Sequence, residues 1–250
     1  LNDDGFEDIA VAIQRDPPGG VAILFQNPGL SGTFLPVTHR VTGFASLAVA
    51  IYDLNGDGLN DLALTGPNFV SVLLQDPTLP GDFLDGPHYP TGQRATYVAV
   101  ADTNGDGLPD LVVANAGASS DGGNSSVSIL EQDPSSAGTF YPAISYTVAN
   151  GARAIDVGDL NGDGYTDIAV ISLVYSAQQS SRISLLFQDP DAPGDFLVGP
   201  VFNGGFSSNF IVSQDLNGNG LLDILVNDGP LVFFQDPSSP GDFLAAAKLH

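Results

Sequence analysis

The sequence predicts an all-β protein, a β-propeller of four-stranded antiparallel blades with five repeats present. Three observations carry that expectation. An acidic nonapeptide recurs as "DLNGDGLND" (Asp53–Asp61), "DTNGDGLPD" (Asp102–Asp110), "DLNGDGYTD" (Asp159–Asp167) and "DLNGNGLLD" (Asp215–Asp223), and "LNDDGFED" (Leu1–Asp8) is a copy lacking its first residue. A second signature follows each copy: "QNPGLSGTF" (Gln26–Phe34), "QDPTLPGDF" (Gln75–Phe83), "QDPSSAGTF" (Gln132–Phe140), "QDPDAPGDF" (Gln188–Phe196) and "QDPSSPGDF" (Gln235–Phe243). Between the two marks stand short apolar runs rather than helical stripes.

Each nonapeptide is preceded by a strand-like run, such as "SLAVAIY" (Ser46–Tyr52) or "TYVAVA" (Thr96–Ala101). A second run follows it, as in "DLALT" (Asp61–Thr65) or "DIAVIS" (Asp167–Ser172), and a third leads into the Gln, as in "VSVLLQ" (Val70–Gln75) or "ISLLFQ" (Ile183–Gln188). A fourth, less apolar run follows the closing Phe. Runs this short, rich in Val, Ile and Leu and bounded by Gly, Pro and Asp, read as strands. Several are apolar on both faces, which suits sheets packed between two neighbours. The unit is therefore strand A, acidic nonapeptide, strand B, variable loop, strand C, Gln-Asp-Pro turn and strand D. At about fifty residues it has the size of a propeller blade. The repeats span approximately 1–44, 45–93, 94–151, 152–207 and 208–250 of a single domain, and the first lacks its inner strand A. A five-bladed ring missing a short upstream segment, a larger ring, and an edge completed by a neighbouring subunit all satisfy this count.

The formal net charge is −23, with 6 Lys+Arg against 29 Asp+Glu. Such a polyanion repels nucleic acid and anionic lipid and attracts divalent cations. With no Cys, there is neither a disulfide framework nor a thiolate site. No apolar run reaches transmembrane length. The chain begins inside a motif and contains no Met, so it reads as a fragment or processed form of a longer protein.

In D-x-N-G-D-G-x-x-D, side-chain oxygens at positions 1, 3, 5 and 9 let a short loop curl round one ion. The glycine at position 6 permits the sharp turn, and the carbonyl of position 7 can add a ligand. All donors are hard oxygens, which selects Ca²⁺ over zinc, copper or Mg²⁺. The spacing is that of a helix-flanked calcium loop, but strands lead in and out here. Asp53, Asn55, Asp57 and Asp61 form a complete set, as do Asp102, Asn104, Asp106 and Asp110, and Asp159, Asn161, Asp163 and Asp167. In the last copy, Asp215, Asn217, Asn219 and Asp223, an Asn replaces the position-5 Asp, and weaker binding is expected. The first copy retains Asn2, Asp4 and Asp8. Such sites stabilise a fold; their carboxylates are not arranged for general acid–base work.

Nonapeptides of this form, embedded in four-strand units over essentially the whole chain, resemble the FG-GAP/VCBS repeats. These are the calcium-binding propeller repeats of integrin α head domains, certain fungal lectins and many bacterial secreted proteins. The resemblance implies a propeller, usually seven-bladed, with four to five Ca²⁺ ions, one per A–B loop. By position it adds the carbonyls of Phe6, Leu59, Leu108, Tyr165 and Leu221 as ligands. Departures are Asp3 where the motif has Gly, Asn219 where it has Asp, and a count of five. The family implies no single activity, since members adhere, bind sugars or scaffold. The expectation is a secreted or surface-exposed, non-catalytic module of adhesion, recognition or assembly, with a protein or glycan ligand. A lectin-like propeller and a head-to-tail filament or surface-layer subunit are the alternatives.

By strand parity the metal loops and Gln-Asp-Pro turns share one face, while Arg15, Arg40, Arg94, Arg153 and Arg182 fall on the other. An acidic face meeting the arginine face of a second copy would be a heterologous contact able to build filaments. Other residues have plainer readings. His39 and His88 are expected on the surface of strand D, Asp156 in a contact between blades, and the recurring Phe34, Phe83, Phe140, Phe196 and Phe243 in blade packing. Asn124 heads a glycosylation sequon on a long loop. Three His and six basic residues, dispersed and without a nucleophile motif, argue against a polysaccharide-cleaving enzyme.

Overall fold

In the computed structural model, which describes residues 1–14, 19–118, 123–174, 180–227, 231–244 and 247–248, the described chain is all β, with no helix. Hairpin follows hairpin without crossover. The first sheet has three strands, β1 (Ile9–Ile13), β2 (Gly20–Leu24) and β3 (Thr38–Val41). The second comprises β4 (Val49–Tyr52), β5 (Asp61–Thr65), β6 (Phe69–Gln75) and β7 (Phe83–Pro90). The third comprises β8 (Ala95–Ala101), β9 (Asp110–Asn115), β10 (Ser126–Leu130) and β11 (Ile144–Thr147). The fourth runs through β12 (Ala152–Gly158), β13 (Asp167–Val174), β14 (Ser180–Gln188) and β15 (Phe196–Asn203). The fifth holds β16 (Ile211–Gln214), β17 (Asp223–Val226), β18 (Leu231–Phe233) and β19 (Ala247–Lys248). Neighbouring strands pair antiparallel, as direct hairpin connections require.

Burial grades along each sheet. β5, β9 and most of β13 are buried throughout, whereas β7 and β15 are largely exposed. That is why strands B and C read as continuous apolar runs and strand D does not. Consecutive sheets stack face to face, with one apolar cluster at each junction. Leu62, Leu64 and Leu73 of the second sheet meet Val21 and Ile23 of the first. Leu111, Val113 and Leu130 of the third meet Ala63, Val70 and Val72 of the second. Ile168, Val170 and Leu186 of the fourth meet Val112, Val127 and Ile129 of the third, and Ile224, Val226 and Phe233 of the fifth meet Ala169, Ile183 and Leu185 of the fourth. Each aliphatic side chain fully buried there contributes roughly 1.5–3 kcal/mol.

The outer strands add a second join. Tyr89 lies edge-on to Phe140 at 5.4 Å, Tyr146 to Phe196 at 5.7 Å, and Phe202 to Phe243 at 5.7 Å. The Phe140 and Phe196 amides donate to the Tyr89 and Tyr146 hydroxyls, each at 3.1 Å. The recurring Phe thus packs between sheets at Phe83, Phe140, Phe196 and Phe243, whereas Phe34 of the first sheet is exposed, contrary to expectation, having no preceding sheet among the described residues. Near the inner strands, the Asp156 carboxylate on β12 accepts hydrogen bonds from the Ser213 amide and hydroxyl on β16, a satisfied contact between sheets. His88 is an exposed outer-strand residue whose ring stands 4.6 Å from that of Phe69.

Candidate metal centres

The acidic nonapeptides form the bends from β4 to β5, β8 to β9, β12 to β13 and β16 to β17, and one further copy leads into β1. Their backbone follows from their own side chains. Asp53 accepts the amides of Gly56 (2.8 Å), Asp57 (3.2 Å) and Gly58 (2.8 Å), and Asn55 Oδ1 accepts the Asp57 amide at 2.9 Å. Asp57 in turn accepts the Leu59 amide at 2.8 Å. Asp102 and Asp159 repeat this pattern with Gly105, Asp106 and Gly107, and with Gly162, Asp163 and Gly164. Glycines at positions 4 and 6 take left-handed φ, 73° and 86° at Gly56 and Gly58, which a β-carbon would strain. In the first copy Asp3 stands at position 4 with φ 56°, a conformation that Asp tolerates better than most residues.

Position 9 differs from the rest. Asp61, Asp110, Asp167 and Asp223 are fully buried. One carboxylate oxygen accepts the amide of position 2, at 2.9 Å from Leu54, Thr103 and Leu160 and 3.0 Å from Leu216. The other accepts the amide of the strand C glutamine, at 2.7–3.0 Å from Gln75, Gln132, Gln188 and Gln235. This Asp therefore fastens its loop to its own sheet. Burial raises the Asp61 carboxyl from 3.8 to about 6 and that of Asp167 to about 7, against the lowering effect of their amide donors and with a further rise from the neighbouring loop carboxylates. Asp110 is also raised by burial, opposed by the Thr103 hydroxyl that donates to it at 2.6 Å.

In the fourth sheet the carboxylate oxygens of Asp159, Asp163 and Asp167 lie within 4.8 Å of one another. Three carboxylates gathered so closely repel, and an oxygen-loving divalent cation would relieve that repulsion. The donor set fits such an ion, with Asn161 Oδ1 in the same bend. The other copies vary as their residues do. Asn2, Asp4 and Asp8 keep the local bonds, with Phe6 N on Asp4 at 3.0 Å and Gln26 N on Asp8 at 2.8 Å. In the last copy Asn219 takes the place of the position-5 carboxylate, and the Asn217 amide turns instead to Asp223 at 3.2 Å. Leu59, Leu108, Tyr165 and Leu221 each place an amide on the position-5 side chain of the bend.

The second signature has a role that the sequence did not disclose. Its first and last residues face each other across the ladder, Gln75 with Phe83 and Gln188 with Phe196, and the isolated pairs Gln26–Phe34, Gln132–Phe140 and Gln235–Phe243 match them. The Gln of the third and fifth sheets, and the Gly of sheets two to five, reach the acidic loop of the preceding sheet. Gln132 Nε2 donates to the carbonyl of Leu54 in the preceding loop and to that of Pro109 in its own, each at 2.9 Å, and Gln235 Nε2 donates to Leu160. A β-carbon on Gly138 would lie 3.1 Å from Asn55, and one on Gly81 or Gly241 would lie 3.4 Å from Asn2 or Asn161. Each of these turns is pressed onto the loop before it. The signal available in the sequence was the unvarying Gln, since the turn itself needs only the Asp, Pro and Gly.

The charge map needs one correction. Arg40 lies within β3 and reaches Asp82 (3.4 Å) and Asp85 (2.8 Å) of the second sheet, so this arginine joins the acidic turns instead of opposing them. Arg15 lies outside the described residues, and so do residues 119–122 of the long loop that carries the exposed Asn124.

The raised carboxyls give a pH prediction. A carboxyl whose folded value exceeds 3.8 favours the native state most when protonated, so this contribution falls as pH rises through about 6 to 7. In chelator the melting midpoint should therefore rise as pH is lowered from about 7.5 to about 5.5. The hydrogen-bonded exposed carboxyls Asp76, Asp133, Asp215 and Asp236 are held below 3.8, so they do not titrate in that window. Differential scanning fluorimetry checks it; a midpoint falling over the same range contradicts it.

A row of antiparallel sheets, each bent through an acidic loop of metal-ligand type, defines a protein of repeated β units. The chain belongs to the FG-GAP-like repeat family, whose model matches residues 1–64, 53–113 and 102–170. No curated protein matches it. Among solved structures it is similar to the crystal structure of the V. cholerae biofilm matrix protein Bap1, at 12% identity and a TM-score of 0.36, over 95% of this chain and 69% of that one.

Proposed function

We propose that the sheets are blades of a calcium-braced β-propeller, and that the chain serves outside the cell as a non-catalytic module of adhesion or assembly. One observation carries this reading: the position-9 carboxylates are buried and fully engaged by backbone amides, as Asp167 is by Leu160 and Gln188. Groups so held brace a fold and keep a lone pair on each oxygen for an ion, but, being buried, they reach no substrate. Calcium would be held by the side chains at positions 1, 3, 5 and 9 with the carbonyl of position 7, most completely in the loops Asp53–Asp61, Asp102–Asp110 and Asp159–Asp167. Millimolar sites suit an extracellular setting.

A second reading, glycan binding, has its own support. A cleft of about 450 Å³ opens between the second and third acidic loops, lined by Ile51, Tyr52, Asn55, Asn60, Leu108 and Gln132. An exposed tyrosine beside amide side chains is the chemistry that holds a neutral sugar. A glycan array and a panel of matrix proteins, probed in calcium and in chelator, test both readings. Calcium-dependent capture without cleavage of the captured polymer is expected. Loss of glycan capture in Tyr52→Ala alone selects the second reading, and turnover of a polysaccharide overturns the first.

A further inference from the structure

Position 5 of the acidic bend is Asp57, Asp106 and Asp163 in the three complete loops, and its amide counterpart Asn219 in the last. Glycine follows in every case, so Asn219 and Gly220 form an Asn-Gly pair. Such pairs lose the side-chain amide most readily, because glycine has no β-carbon to keep its nitrogen away from the asparagine Cγ. Asparagine also precedes glycine at position 3, as Asn55, Asn104, Asn161 and Asn217, but there both ends of the side chain are tethered. Asn55 Oδ1 accepts the Asp57 amide at 2.9 Å while its Nδ2 donates to the Asp57 carboxylate at 3.0 Å, and Asn104 and Asn161 repeat both bonds. Asn217 is held by the Asn219 amide and by Asp223. The next sheet's turn also covers Asn55, Asn104 and Asn161, whose β-carbons would stand 3.1–3.5 Å from one placed on Gly138, Gly194 or Gly241. Asn219 lacks the second tether. It is exposed, its Oδ1 accepts the Leu221 amide at 2.9 Å, and its Nδ2 has no hydrogen bond among the described residues.

We infer that Asn219 is a site of spontaneous modification: it deamidates, and its aspartate product completes the last bend as a metal loop. The Gly220 nitrogen gives its proton to solvent and bonds to Asn219 Cγ, ammonia leaves, and a succinimide ring closes. Water then opens the ring. Attack at Cγ breaks the bond just made, restores the main chain and leaves a carboxylate at position 5. Attack at the main-chain carbonyl routes the chain through Cγ instead, and this isoaspartate lengthens the bend and destroys its ligand spacing. Either way one water is consumed and one ammonium is released with the new carboxylate. The aspartate has a place waiting. With no carboxylate at position 5, the Asn217 amide turns to Asp223 at 3.2 Å. The new carboxylate offers that amide the partner that Asn55, Asn104 and Asn161 have, releasing Asp223 toward an ion. The gain in metal binding rests on the calcium reading above; the deamidation does not.

Ageing the folded chain in chelator at mildly alkaline pH, then peptide mapping by tandem mass spectrometry, tests the chemistry. Asn219 should convert to acid several-fold faster than Asn55, Asn104, Asn161 or Asn217, and isoaspartate methyltransferase should label the same peptide. Asn150 and Asn203 also precede glycine, but they lie between β11 and β12 and at the end of β15, away from the bends, and are scored separately. Asn219→Gln keeps an amide that cyclises far more slowly, and should abolish the signal. Calcium titration tests the consequence: Asn219→Asp should bind one more ion per chain than Asn219→Gln, and freshly made wild type should match Asn219→Gln. An Asn219 that converts no faster than the tethered asparagines overturns the modification. An Asn219→Asp chain with no added calcium, while the three complete loops bind it, overturns the completed site. Calcium binding to none of the bends fells the calcium reading and the completed site together, whereas fast conversion of Asn219 would still uphold the modification.

Discussion

Chelation of calcium is expected to lower the melting midpoint by about 10 °C. The three complete loops set the scale. At free calcium about ten-fold above the dissociation constant, each site stabilises the folded chain by about 1.4 kcal/mol, and three by about 4 kcal/mol. For a chain of 250 residues, a loss of about 1 kcal/mol moves the midpoint by roughly 2–4 °C. EGTA in the presence of magnesium, followed by calorimetry, isolates the calcium contribution. The midpoint should return when calcium is restored. An unchanged midpoint would remove the metal from the account altogether.

Asp167→Ala should be the most damaging change within a loop. It deprives two buried amides, those of Leu160 and Gln188, of their acceptor. Each buried donor left without a partner costs about 1–3 kcal/mol, so a loss of about 2–6 kcal/mol is expected even in chelator. Asp163 offers the contrast. It sits at the exposed tip of the same bend and accepts the Tyr165 amide at 2.9 Å. Water can replace that bond, so Asp163→Ala should cost less than about 1 kcal/mol in chelator. In calcium both variants lose the site. Urea unfolding of the two variants, with and without calcium, separates a carboxylate that holds the loop from one that serves only an ion. Equal losses in chelator would contradict the distinct role given to position 9.

Much of the architecture was legible because each level of the sequence agreed with the next. The apolar runs of β5, β9 and β13 are buried on both faces and could be read as central strands without their partners. The bends announced themselves through Asp, Asn and Gly, whose local hydrogen bonds dictate the turn whether or not an ion is present. The recurring Phe and Asp156 could be placed between repeats, but the partner that each turn residue meets in the neighbouring repeat could not be read. Gln132 looks like a turn residue until its amide is found on Leu54 of the preceding sheet. The turn glycines have two duties, a positive φ and close approach to a neighbouring Asn, and only the first is local. Arg40 followed strand parity in sequence, yet its long side chain reaches the carboxylates of the next sheet. Residues of one type served different ends for the same reason. Phe34 and Phe140 occupy equivalent places, and only the presence of a preceding sheet makes one exposed and the other core.

The contact of each signature turn with the loop before it has a mechanical consequence. Gly138 on Asn55 and Gly241 on Asn161 mean that stiffening a loop also stiffens the joint to the sheet that follows. Under tension along the chain, the joints would give way in succession, and at higher force with the loops holding calcium as proposed.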